Sequence, residues 1–199
     1  MIDFHVLSTR DISTIAYNIK RLKDAGIDLR VIENKGHSVA YGGHKAFFET
    51  DSTFVSYIDD DDILRITKEH IEHIVGLDKD ALYTNSTMFL KERKILGTPK
   101  FVKEWTLRSE VDKLTRPHQT IVYKQEYIKR ISLEAIELMK SKGWHENVYD
   151  YVCRALVSLE GKWFYYPEVT YQWNSNTGDI HKDKIYVELR AYFFGKAKQ

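Results

Sequence analysis

Between residues 2 and 76, short β-favouring apolar runs alternate with stretches whose apolar residues recur at helical spacing. That alternation narrows the open folds more than any other feature of the chain. Ile2 to Leu7 reads as a strand, and Asp11 can cap a helix with Ile12, Ile15, Ala16, Ile19 and Leu22 on one face. Gly26 ends that helix and Ile27 to Ile32 reads as a second strand. Residues 34–43, holding Gly36, Gly42 and Gly43, read as a loop, followed by a short helix over 44–50 and a strand from Thr53 to Ile58. Ile63, Ile66, His70, Ile71 and Ile74 then mark a further amphipathic helix, with Asp62 placed to cap it. Strand–helix alternation of this kind predicts an α/β fold with a mostly parallel central sheet flanked by helices. Ligands in such sheets bind at the carboxyl ends of the strands.

The second half is less regular. Ala81 to Phe89 reads as a strand and 124–142 as a helix. Residues 146–160 read as a helix with Val148, Val152, Ala155, Leu156 and Leu159 inward. Phe164 to Trp173 is an aromatic strand interrupted by Pro167, and 174–184 is a polar segment expected to be a mobile loop. No repeat or linker breaks the 199 residues, so a single domain is expected, with 1–76 and 77–199 as its two halves. A formal charge of +1 provides no overall basic field for nucleic acid, although 91–116 and 181–199 lean basic. The single cysteine, Cys153, excludes an internal disulfide and lies in an apolar helical pattern, so a buried structural thiol is expected. The N-terminus lacks the pattern of a signal peptide and no apolar run approaches membrane-spanning length, so a cytoplasmic protein is expected.

The segment "FVSYIDDDDIL", residues 54–64, puts four like charges at the carboxyl end of the third strand. At ~4 Å spacing and an effective dielectric near 20, neighbouring carboxylates repel by about 4 kcal/mol per pair. A solvated charge run removes that penalty by exposure, and a bound cation removes it by neutralisation. Asp59 and Asp61 project to one side, as a D-x-D pair must to share a ligand, and hard carboxylate oxygens suit Mg²⁺ or Mn²⁺ bridged to phosphate. Asp62 reads as a helix cap only.

Three motifs then occur in order: "YIDDDDIL" (57–64), "WHENVYDYVCRAL" (144–156) and "FYYPEVTYQW" (164–173). Together they resemble a GT-A-fold glycosyltransferase close to the family 2 type. That family shows a D-x-D-D run after an apolar strand, a W-G-E-D-x-D-L-x-x-R helix start and a Y-x-P-E-V-x-Y strand. The resemblance implies a metal-dependent transferase that moves a sugar from a nucleotide-diphosphate sugar, UDP-sugars favoured, to an acceptor hydroxyl, with inversion. It places Ser8, Thr9, Arg10, Glu33, Gly43, Lys45, Asp59 and Asp60 on the nucleotide and sugar. Asp59 and Asp61 would hold Mn²⁺ or Mg²⁺, joined by His181, while Lys182 and Lys184 would reach the diphosphate from a lid. The resemblance does not name the acceptor; a glycan and a modified DNA base are the two expected classes, in a compact cytoplasmic or phage-encoded enzyme.

The chain departs from the family at the base position, where Glu146-Asn147 replaces Glu-Asp and Tyr149 reads as an inserted residue. The carboxylate that takes the acceptor proton is therefore Glu146 or, one helical turn on, Asp150. Both also open a helix, where acidic residues are favoured by the dipole whatever their chemistry. A nucleotidyltransferase of similar α/β form would use paired aspartates too, but "LSTRDIS" after the first strand lacks the glycine-rich signature those enzymes carry there. A non-catalytic nucleotide- or sugar-binding module is the third reading, kept open by the Glu-Asn pair.

Overall fold

A computed structural model describes residues 1–8, 16–24, 26–27, 29–60, 62–90, 95–97, 121–175 and 184–197. The chain runs β1 (Ile2–Ser8), α1 (Ala16–Asp24), β2 (Leu29–Glu33), α2 (Val39–Phe48), β3 (Phe54–Asp59), β4 (Ile63–Leu64), α3 (Lys68–Leu77) and β5 (Ala81–Leu90). It continues through β6 (Ile95–Gly97), β7 (Ile121–Lys124), α4 (Gln125–Lys142), a 3₁₀ turn at Glu146–Val148, α5 (Tyr149–Leu159), β8 (Trp163–Ser175) and α6 (Lys184–Ala197). The strands form one sheet in the order β2-β1-β3-β7-β5-β8-β4, with β6 beside β5. The pairs β1–β2, β1–β3 and β5–β8 are parallel, as strand–helix alternation predicts. The pairs β3–β7, β5–β7, β5–β6 and β4–β8 are antiparallel, which makes the sheet mixed.

Side-chain alternation along the strands splits the core into two layers. Phe4, Val6, Phe54, Ile58, Leu82 and Val122 pack on one face against Leu22 of α1 and Ile74 of α3. Val55, Tyr83 and Tyr123 pack on the other face, against Phe47 of α2, Ile131 and Ala135 of α4, Val152 and Leu156 of α5, and Phe193 of α6. Asp3, His5, Leu7, Tyr57 and Asp59 share this second face by alternation, because Leu7 pairs with Asp59 and His5 with Tyr57. Cys153 is buried there, as expected, and burial pushes its thiol up, which suits a structural role.

Several local expectations are corrected by long-range packing. Residues 39–43 are helical and not loop: Ser38 caps α2 by accepting the Tyr41 N–H at 3.2 Å, and both glycines sit inside the helix. The helix expected after the aspartates does not begin there. Ile63 and Leu64 instead pair antiparallel with Gln172 and Tyr171 as β4. α3 starts five residues later, under a capping box in which Thr67 and His70 bond each other's backbone N–H groups. His70 is therefore a cap partner and not the core histidine its position on the apolar face suggests. Leu159, expected inward, is 39% exposed. Pro167 falls where the β5–β8 register slips, between Thr84↔Tyr166 and Asn85↔Val169, a bulge that leaves its missing N–H without consequence for the ladder. The Asp11 cap and most of the 174–184 segment lie outside the described residues, while β8 extends through Ser175.

Candidate functional site

Parallel pairing of the first three strands brings their carboxyl ends to one edge. Ser8 pairs with Glu33 across β1 and β2, and Leu7 with Asp59 across β1 and β3. Ser8, Glu33, Asp59 and Asp60 therefore meet on adjacent strands, where a doubly wound sheet binds ligands. Asn34, which the sequence reading passed over, follows β2 at the same edge. Its backbone N–H donates to the Ser8 carbonyl at 2.7 Å, and its side chain is tucked against Gly42. Among the described residues the Asn34 side-chain oxygen is buried with no hydrogen-bond partner.

Asp60 and Asp62 are not a solvated fringe. Asp60 is 7% and Asp62 2% exposed, and each is held by a hydroxyl from a different strand. Ser8 Oγ donates to Asp60 Oδ2 at 3.2 Å, and the fully buried Tyr171 hydroxyl donates to Asp62 Oδ2. A weak backbone bond from Asp62 N–H to the Asp59 carbonyl, 3.4 Å, closes the turn between them. Hydroxyl donors offset part of the desolvation cost that bare carboxylates would carry. Asp62 is thus a buried acceptor for β8 and not a helix cap. We expect Tyr171→Phe to cost about 2 kcal/mol, or roughly 4–8 °C in Tm, by removing one hydrogen bond to a charged group. A thermal melt that does not move would show that the Asp62 carboxylate finds another donor.

The two candidate acceptor-side carboxylates differ sharply in setting. Glu146 opens the 3₁₀ turn and is exposed, and the turn is capped by His145 Nδ1, which accepts the Asn147 N–H at 3.1 Å. Asp150 lies in the first turn of α5 with its side chain 26% exposed. Its Oδ2 is 2.8 Å from Arg154 Nη2, and its Oδ1 accepts the Tyr151 N–H at 2.7 Å. Burial pushes the Tyr57 phenol well above its ordinary value, and the nearby Asp150 carboxylate adds to that shift. Tyr149 and Val152, on either side of Asp150, belong to the core cluster against which Tyr57 packs, so the first turn of α5 lies by the face of β3 that carries Tyr57 and, two residues on, Asp59. Trp144 packs edge-on against Tyr192 of α6, centroids 5.3 Å apart, so it serves helix docking.

Gly43 and Lys45, placed by the resemblance on the nucleotide, have other neighbours in α2. A Cβ on Gly43 would come within 2.6 Å of the Tyr149 ring, and Tyr149 is fully buried, its hydroxyl donating to Ser132 Oγ at 2.6 Å. The residue that reads as an insertion in the motif is therefore the one for which α2 needs a glycine. Gly43→Ala should destabilise the fold by about 2 kcal/mol through overpacking, read as a lower urea midpoint with unchanged slope. An unchanged midpoint would mean that the ring yields. Lys45 lies 3.8 Å from Glu49 and over the Tyr41 ring at 5.6 Å. Lys184 is exposed at the start of α6. Thr9, Arg10, Asp61, His181 and Lys182 lie outside the described residues. Among the described residues no group of three or more His, Cys, Asp or Glu side chains is clustered to hold a metal ion. Of the three implied ligands only Asp59 is described, and its hard carboxylate at the strand end suits such an ion.

No protein-family model matches the chain, and no curated protein matches it in sequence. Solved structures do match in fold. TarS 1–349 from S. aureus, in complex with UDP-GlcNAc, superposes with a TM-score of 0.54 at 13% identity, covering 96% of this chain and 66% of that one. A longer S. aureus TarS chain gives a TM-score of 0.55 at 12% identity, covering 96% of this chain and 39% of that one. The TarS 1–349 complex with UDP gives 0.53 at 13% identity. The chain thus spans 66%, 39% and 64% of these three TarS chains. No helix among the described residues is long and apolar enough to cross a membrane. TarS is a GT-A-type glycosyltransferase, and the structural match, with a mixed sheet carrying helices on both its faces, gives this chain the same GT-A-type fold.

Proposed function

We propose that this chain is a metal-dependent glycosyltransferase that moves a sugar from a nucleotide-diphosphate sugar, a UDP-sugar favoured, to an acceptor hydroxyl with inversion. The observation that carries the reading is the convergence of Ser8, Glu33, Asp59 and Asp60 on one carboxyl edge. The fold it shares with TarS, whose structures hold UDP-GlcNAc and UDP, supports the donor class. In this reading Glu33 at the end of β2, with Asn34 beside it, would contact the base and ribose, and Asp60, which accepts the Ser8 hydroxyl, would face the ribose and sugar. Asp59 and Asp61, with His181, would hold Mn²⁺ or Mg²⁺, and a bound ion supplies neutralisation of the departing diphosphate. Lys182, and Lys184 at the start of α6, would add positive charge to that diphosphate.

Of the two acceptor-side carboxylates, Asp150 is the one held in a fixed direction near β3, whereas Glu146 is exposed on its turn. In the transfer step the acceptor oxygen bonds to the anomeric carbon as the bond from that carbon to the diphosphate oxygen breaks. The acceptor's proton passes to the Asp150 carboxylate.

A panel of UDP-, GDP- and dTDP-sugars tests the donor class, scored by thermal shift and by donor hydrolysis with Mn²⁺ and with EDTA. A donor at about 100 times its Kd stabilises the fold by about 2.7 kcal/mol, well within reach of a thermal melt. One nucleotide class should shift Tm and be hydrolysed only with the metal. If no nucleotide sugar shifts the melt under either condition, the reading fails.

A further inference from the structure

We infer that Arg154 is a positioning residue for this site, acting through Asp150; the inference rests on the transferase reading above. The helix Tyr149–Leu159 turns Val152, Cys153, Ala155 and Leu156 into the core, and among them it buries Arg154, a residue only 6% exposed. The pair is graded from inside to outside: the Arg154 side chain is 8% exposed and the Asp150 side chain 26%. The cation lies beneath, and the carboxylate it holds reaches the surface.

A leucine at this position would be cheaper to bury than an arginine, and replacing buried ion pairs by apolar residues is commonly neutral or stabilising. What the arginine adds is direction. Arg154 Nη2 fixes one Asp150 oxygen at 2.8 Å, and the Tyr151 N–H fixes the other at 2.7 Å. With both oxygens engaged, neither side-chain torsion of Asp150 is free to turn, so the outward lone pairs keep one aim. Tyr123 and Cys153 lie close enough to sense both charges. The helix that carries the pair is locked against rolling by Tyr149. Its ring is seated on Gly43, and its hydroxyl bonds Ser132, which in turn bonds His44 Nδ1 at 2.9 Å. The i,i+4 spacing of Asp150 and Arg154 carries this arrangement in the sequence, but it reads there as an ordinary helix-surface pair.

The test compares Arg154→Met, Arg154→Lys, Asp150→Asn and the double variant Asp150→Asn with Arg154→Met, using metal-dependent donor turnover and thermal melts. Misplacement of a reacting group by about 1 Å costs about 100-fold, so Arg154→Met should lower kcat by about that factor with donor KM unchanged. Arg154→Lys, which keeps the charge, should recover part of the loss. Asp150→Asn strands the buried Arg154 charge and should melt early, Arg154→Met leaves only a part-exposed carboxylate and should melt closer to the wild type, and the double variant removes both charges and should also melt near the wild type. If the pair only supports the fold, the double variant regains wild-type turnover along with its stability, and the inference is overturned. Wild-type kcat in Arg154→Met overturns it as well. A wild-type chain that neither binds nor turns over any nucleotide sugar sinks the transferase reading itself, a result seen before any variant is made.

Discussion

Asp61→Asn is expected to lower metal-dependent donor turnover about 1,000-fold, because an ion that neutralises a departing diphosphate contributes several kcal/mol and each tenfold in rate takes about 1.4 kcal/mol. It should also erase the extra rise in Tm that Mn²⁺ adds to a nucleotide diphosphate. Asp62→Asn, one residue on, provides the contrast. Its carboxylate is 2% exposed and accepts the Tyr171 hydroxyl, so the substitution should lower Tm while leaving the Mn²⁺ response in place. The sequence alone assigned Asp62 a helix-cap increment of about 1 kcal/mol or less, and the β4–β8 pairing replaces that with a buried hydrogen bond. Equal loss of the Mn²⁺ response in the two variants would sink the D-x-D assignment.

Stability should begin to fall on mild acidification, before carboxylates titrate, and His5 is the reason. Its imidazole is 1% exposed in β1, and among the described residues neither ring nitrogen has a hydrogen-bond partner. Burial pushes it down from an ordinary 6.5 to about 4; Asp3 and Glu49 pull the other way and Arg30 adds to the lowering. Between those two values the unfolded chain binds a proton that the folded chain refuses. The native state therefore loses stability as pH falls from about 6.5 to about 4, by on the order of 3 kcal/mol in total, and no more from this group below that. Asp3 acts in a lower window. Burial raises it, but hydrogen bonds from the Thr50 and Ser52 hydroxyls and the charge of Arg30 outweigh burial and hold it below 3.8. Its contribution is lost only as pH drops through that depressed value. Urea unfolding at a series of pH values should show the His5 slope, and His5→Leu should flatten it. A slope that survives the substitution would assign the acid sensitivity to other groups.

Strand–helix alternation over the first 77 residues is a local property, written in side-chain periods of 2 and 3.6, so the sequence alone could order β1, α1, β2 and β3. Parallel pairing follows from that alternation, and with it the convergence of Ser8, Glu33 and Asp59 at one edge. The motif at 144–156 likewise pointed to Glu146 and Asp150 as candidates for the acceptor-side carboxylate. Tertiary structure alone decided what those residues do to one another. Asp62 became a buried acceptor because Tyr171, 109 residues later, is brought to it by an antiparallel register with no local signal. Gly43 lies inside a helix because the Tyr149 ring occupies the space a side chain would take, a contact between positions 106 residues apart that glycine's own turn preference hides. Asp150 and Arg154 are four residues apart and could be paired on paper, but their depth could not. Which end of an ion pair faces the core depends on what packs above the helix, and packing is a property of the whole chain.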